Sequence, residues 1–158
     1  MGVRPRDLLN AAKHLADYGQ GKPKQAYLRR AVSTTYYAMF HALARCCADL
    51  IIGGSRAERS KAAWTQVYRA LEHGAAKNAC LNKSIVTKFP QRVQDFANSL
   101  VTMQNKRHEA DYHPNATVFK SAVLADIAAV ELVIEQFEGC PIKDRRAFAA
   151  LVLFKQRS

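Results

Sequence analysis

The stretch 23–52, PKQAYLRRAVSTTYYAMFHALARCCADLII, decides the fold. A row at three- and four-residue steps runs through Tyr27, Ala31, Thr34/Thr35, Ala38, Ala42, Arg45/Cys46 and Asp49/Leu50. Leu28, Val32, Met39, Phe40 and Leu43 widen it. That spacing is the period of an α-helix. No proline interrupts it after Pro23, and Gly53-Gly54 supplies a stop. Thirty residues at ~1.5 Å each give a rod of ~45 Å. Its many small side chains let a second helix approach closely.

Outward from this rod the spacing stays helical. A helix over about Pro5 to Tyr18 carries Leu8, Ala11, Ala12, Leu15 and Tyr18 on one face, with Gly19 and Gly21 behind it. A third helix fits Ala57 to His73, with Ser55 as cap and Trp64, Val67, Tyr68 and Leu71 on one side. The stretch 75–88 is irregular and reads as containing a loop. A fourth helix starts near Pro90 with Val93, Phe96, Ala97, Leu100, Val101 and Gln104 inward. Pro114 drives the residue before it out of helical geometry, so this helix ends near Tyr112. A fifth fits Thr117 to Glu138, with a stripe of Val118, Ala122, Ala125, Ala129, Leu132, Val133 and Phe137. A short last helix covers Asp144 to Lys155, with Phe148, Leu151 and Val152 expected against the bundle. No polar–apolar alternation bounded by hairpin turns is present, which excludes a sheet. The expectation is an all-α fold: one domain over 1–158, an up-and-down helical bundle of about five helices with a short extra C-terminal helix. Its core spans about 5–138, and 141–158 is an extension.

The 158 residues suit a single core. The longest apolar runs, such as Ala147–Phe154, reach eight residues, against the ~20 a membrane span needs. No apolar stretch of signal-peptide length opens the sequence. A cytoplasmic protein without membrane contact is expected. Cys46, Cys47, Cys80 and Cys140 form no C-x-x-C pair and read as reduced, mostly buried thiols; no metal or cofactor is expected.

The formal net charge is +11. Residues 1–100 hold 16 Lys/Arg against 6 Asp/Glu, residues 101–138 hold 3 against 6, and residues 139–158 hold 5 against 1. A basic surface of this kind attracts polyanions, nucleic acid foremost, or simply keeps the protein solvated.

Phosphate-loop, dinucleotide and zinc-protease signatures are absent. The one concentration of chemically capable side chains is Lys106-Arg107-His108-Glu109-Ala110-Asp111-Tyr112-His113. Arg107 is a permanent cation whose fork suits phosphate. His113 exchanges protons near neutral pH. On a regular helix the two would point apart, but the break at Pro114 frees His113 from that geometry. Arg107 and Asp111 stand four apart, at ion-pair spacing, as do His108 and Tyr112 at packing spacing. Elsewhere, His41 reads as a packed or partner-bonded histidine. Tyr36, Tyr37 and Phe40 read as core and helix-contact aromatics, Trp64 as core, and Arg29 and Arg30 as solvated.

Two segments together resemble the HEPN family of small all-helical domains of prokaryotic defence and toxin–antitoxin systems. One is LRRAVSTTYYAMFHAL over 28–43, similar to the family's Tyr-Tyr-Ala-x-Phe-His run behind a basic residue. The other is RHEADYHP over 107–114, similar to the R-x(4–6)-H signature with an Ala-Asp-Tyr-x-Pro ending. The resemblance spans roughly Asp7 to Phe137. It implies metal-independent RNA cleavage, in which a 2′-hydroxyl attacks the adjacent phosphate. Arg107 would match the signature arginine and His113 the histidine. His108, Asp111, Tyr112 and Lys106 would support or bind. It further implies a homodimer with the site near the two-fold interface, and RNA or a nucleotidyltransferase-type antitoxin as partner. The long second helix and the segment 100–112 are the expected dimer surfaces. The rival reading is a non-catalytic helical interaction module for a nucleotidyltransferase or other protein.

Overall fold

The computed structural model describes Val3–Arg157. Eight α-helices run through these residues, without a strand: α1 (Pro5–Asp17), α2 (Gln25–Ile51), α3 (Lys61–Ala70), α4 (His73–Leu81), α5 (Lys83–Val86), α6 (Gln91–Tyr112), α7 (Lys120–Glu138) and α8 (Ile142–Leu153). The fold is an all-α bundle. No helix among the described residues is long and apolar enough to cross a membrane.

Cross-contacts fix the directions. The ring of Tyr18 after α1 meets Tyr27 at the start of α2. Along α2 and α6 the pairs Ser33–Asp111 and Tyr37–Arg107 run in opposite order. Lys106–Asp126 and Phe96–Phe137 do the same for α6 and α7, and Lys13–Glu131 and Lys120–Asp17 for α1 and α7. Helices α1, α2, α6 and α7 therefore alternate up and down, with α3–α5 inserted between the second and third and α8 appended.

Helix α2 lies at the centre, touching α1, α3, α6, α7 and α8. Leu28, Val32, Tyr36, Met39, Leu43 and Cys47 are all buried on it. Most of its apolar surface is thus taken up inside one chain, with Tyr37, Phe40 and Leu50 half-buried and Ile51 exposed. At its end Gly53 adopts φ +138, and a Cβ there would lie 2.8 Å from the Ala57 Cβ, so glycine is required at this turn. Arg59 fastens the turn by donating to the Gly53 carbonyl (2.8 Å) and to Asp49 (3.1 Å). A second centre joins α6, α7 and α8. Phe96 stacks on Phe137 at 4.4 Å, and Phe148 meets Phe89, Phe96 and Phe137 within 6.2 Å. Phe148 and Val152 are buried and Leu151 half-buried, the docking read for the last helix.

Several readings are corrected. The single helix over 57–73 is two, broken at Leu71, which leaves helical geometry and is buried. The chain turns there to bring Leu71, Ala76 and Cys80 inward, and 75–88 is mostly helical rather than looped. Helix α3 is capped by Ser60, not Ser55, and its residues are all half-buried or exposed, Trp64 among them. On α7 the buried residues are Val123, Ile127, Val130, Ile134 and Phe137, while Ala122, Ala125, Ala129 and Leu132 face outward. Larger side chains remove more apolar area per position, so they win the inner face over a stripe of alanines. Finally, Arg29 is half-buried, not solvated, and its role is described next.

Candidate functional site

One row of polar side chains runs down α2 at four-residue steps: Arg29, Ser33, Tyr37 and His41. Such spacing keeps them near one face of an otherwise apolar helix. Each meets a partner distant in sequence. Arg29 donates to the carbonyls of His113 (3.0 Å), Pro114 (3.2 Å) and Ala116. Ser33 donates to Asp111. The Tyr37 hydroxyl accepts from Arg107 Nη1 at 2.9 Å. His41 Nδ1 pairs with the Tyr68 hydroxyl. The row therefore seats the segment 107–116 on α2 one residue at a time.

Arg107 is held firmly. Its side chain is only 14% exposed. The guanidinium carbon lies 5.3 Å from the Tyr36 ring and 5.5 Å from the Tyr37 ring, a cation–π arrangement. Asp111, one turn on, approaches it at 3.8 Å. Its Nε is buried without a hydrogen-bond partner among the described residues. Around Tyr36 the environment is dry. Burial raises its phenol well above the ordinary tyrosine range, while Arg107 opposes the shift.

His113 is the C-cap of α6, extended at φ −84, ψ 115. Pro114 has taken it out of the helix, as the spacing predicts. Its exposed ring accepts from the Asn115 amide at 3.3 Å. Arg107 and His113 both line a cleft of about 460 Å³, with Lys77, Gln104, Asn105, His108, Glu109 and Tyr112. Lys77 crosses it to Asn105 at 2.6 Å. His108 and Tyr112 pack at 4.9 Å between ring centres, with Tyr112 exposed on the outer side. Lys106 is turned away, paired with Asp126 at 2.9 Å, and contributes nothing to the cleft. Asp111 does not line it either; it works from behind, on Ser33 and Arg107.

A residue that the sequence did not single out stands beside Arg107. His73, the first residue of α4, meets the Tyr36 hydroxyl through Nδ1 at 2.6 Å. Its ring stacks on Phe40 at 3.9 Å. Burial, then Arg107, then His41 depress its proton affinity below the ordinary histidine value. His41 is depressed too, by burial. The four-residue polar row on α2 was a legible signal for Tyr37 and Arg29; nothing local marks His73.

The four cysteines are free thiols. Burial raises Cys46 to about 11 and Cys47 and Cys80 to about 12, the protonated state of inert thiols. Among the described residues no three His, Cys, Asp or Glu side chains converge as a metal site. The arrangement defines a class: a helical bundle whose cleft presents a fixed guanidinium and an exposed imidazole. No protein family, curated protein or solved structure matches the chain.

Proposed function

We propose that this chain is a HEPN-like, RNA-directed protein that cleaves RNA without a metal. The observation that carries the reading is that Arg107 and His113 line one cleft within a single chain. Arg107, locked by Tyr37 and Asp111, would meet the charge that builds on a pentacoordinate phosphate. His113 has an exposed ring able to move a proton. The net charge of +11 favours a polyanionic substrate. Incubation of RNA with the wild type, Arg107→Ala and His113→Ala in EDTA tests this. Cleavage by the wild type alone, leaving cyclic phosphate ends, is expected.

The alternative is a non-catalytic interaction module for a nucleotidyltransferase-type antitoxin or another protein. It is favoured by one observation, the outward row of Phe119, Ala122, Ala125, Ala129 and Leu132 on and just before α7. The same row is one apolar surface open to a homodimer, beside the half-buried Tyr37 and Phe40 and exposed Ile51 on α2 and the exposed Tyr112. Failure of the wild type to cleave any RNA would favour the module.

A further inference from the structure

Tyr112 has no part in the chemistry assigned to Arg107 and His113, yet it lines the same cleft. It is the last residue of α6 and 67% exposed. His108, one turn earlier, packs against it at 4.9 Å between ring centres and 51° between planes, which steadies the ring while most of it stays open to solvent. Asn105, His108 and Tyr112 follow one another at three- and four-residue steps, so they share one side of α6, and all three line the cleft. Lys77 reaches the cleft from α4 and gives one of its three ammonium donors to Asn105 at 2.6 Å. Asn105 and Tyr112 stand ~10 Å apart along the helix axis, with Arg107 between them. The cleft thus presents in order an open aromatic ring, a fixed guanidinium and an ammonium, with Glu109 the one carboxylate among its described lining residues.

We propose that Tyr112, steadied by His108, stacks the unpaired base beside the scissile phosphate, which makes single-stranded RNA the substrate class of this cleft. This rests on the RNA-cleavage reading, which sets the scissile phosphate on Arg107. Lys77 takes the next phosphate along the strand. A nucleotide joins a flat apolar face to an anionic backbone, and a ring flanked by two cations complements both parts. In a duplex each base is covered on both faces by its neighbours and cannot also lie on Tyr112. The cleft of about 460 Å³ falls within the ~300–1,000 Å³ of small-ligand sites, a space for a nucleotide and not for a double helix. A second copy of the chain is the other candidate to cover an exposed tyrosine. It carries the same net charge of +11, which the cations beside Tyr112 repel, whereas they attract an anionic strand.

The test measures binding, by fluorescence anisotropy at fixed salt, of a labelled single strand of 2′-O-methyl RNA, which lacks the attacking hydroxyl. Tyr112→Ala should raise Kd, and KM on natural RNA, about 5- to 150-fold. Tyr112→Leu, apolar but without an aromatic face, should lose as much, while Tyr112→Phe, which keeps the ring, should stay close to wild type. An unchanged Kd in Tyr112→Ala, or wild-type affinity in Tyr112→Leu, overturns the stacking role. So does an equal loss on the same strand annealed to its complement. A lower sedimenting mass for Tyr112→Ala than for the wild type assigns the ring to an interface between copies and also overturns it. Cleavage of natural RNA in EDTA is scored separately. If the wild type cleaves while Tyr112→Ala binds normally, the stacking site alone falls. If the wild type cleaves nothing but needs Tyr112 to bind the single strand, the cleavage reading alone falls. A wild type that neither binds nor cleaves overturns both.

Discussion

Arg107 shows how much of a site one residue's surroundings can set. Its charge is fixed by chemistry, but its direction comes from Tyr37, seventy positions earlier in the chain. Tyr37→Phe removes the hydroxyl and keeps the ring. The lost hydrogen bond is worth about 1 kcal/mol, so cleavage should drop by up to about tenfold with little change in secondary structure. Assays against the wild type at fixed pH check this. The half-buried histidines also make stability depend on pH. His41 faces Tyr37, Phe40 and Tyr68, and His73 faces Tyr36, Tyr37, Phe40 and Arg107. Both bind protons less readily folded than unfolded. The unfolded chain therefore takes up more protons as pH falls below the ordinary value of 6.5. Their full contribution is present above that value and is lost progressively below it, down through the folded-state values. The urea midpoint should fall between pH 7.5 and pH 5, and fall less in His41→Asn/His73→Asn. An equal fall in that double variant would show that other groups titrate.

Among the helices, α8 and α3 stand at opposite extremes. Helix α8 inserts Phe148 among Phe89, Phe96 and Phe137. Phe148→Ala should cost about 3–5 kcal/mol, read as a lowered melting temperature. Deleting 145–158 should destabilise similarly, yet leave the Arg107–His113 cleft intact, because α8 supplies none of its lining. An unchanged melting temperature would mean that α8 is not docked in solution. Helix α3 rests on α2 through partly exposed rings: Trp64 stacks on Tyr68 at 5.1 Å and donates to Asp49 at 2.8 Å. With so little area removed from water, it should open without the rest of the bundle. Amide exchange over 61–70 should be faster than over 31–48. Ser60→Ala, which removes the hydroxyl accepting from the Ala63 amide, should accelerate it further at a cost of about 1 kcal/mol.

At the scale of the whole molecule, the outward face of α7 is the surface on which the proposed homodimer is tested. Leu132 is 53% exposed and Phe119 68%. Leu132→Glu should turn a homodimer into a 17.6 kDa species in sedimentation at micromolar concentration, with the melting temperature of the monomer fold unaffected. A wild type already at that mass would remove the dimer. This face marks where sequence reading stopped. The helix over 120–138 was evident from its period, but the alanine stripe read as inner lies outside. A helical period identifies an apolar face. When two faces qualify, the choice falls to the neighbours, and the face with the bulkier Val123, Ile127 and Val130 was the one buried. The split at Leu71 has the same origin, since burial of one leucine outweighed a continuous helix. At the site, the spacing of Arg107, His113 and Pro114 was legible because a proline's constraint is local. The polar row on α2 marked Tyr37 and Arg29, but not their partners: that Tyr37 seats Arg107 and Arg29 seats 113–116, and the arrival of His73, were not legible. By itself the sequence determined the all-helical class, the central rod, its glycine stop and the break after Tyr112, all consequences of backbone sterics and residue spacing within a few positions. Only the tertiary structure decided which faces turned inward and which distant side chains reached Arg107, because those outcomes depend on the competing burial of surfaces far apart in the chain.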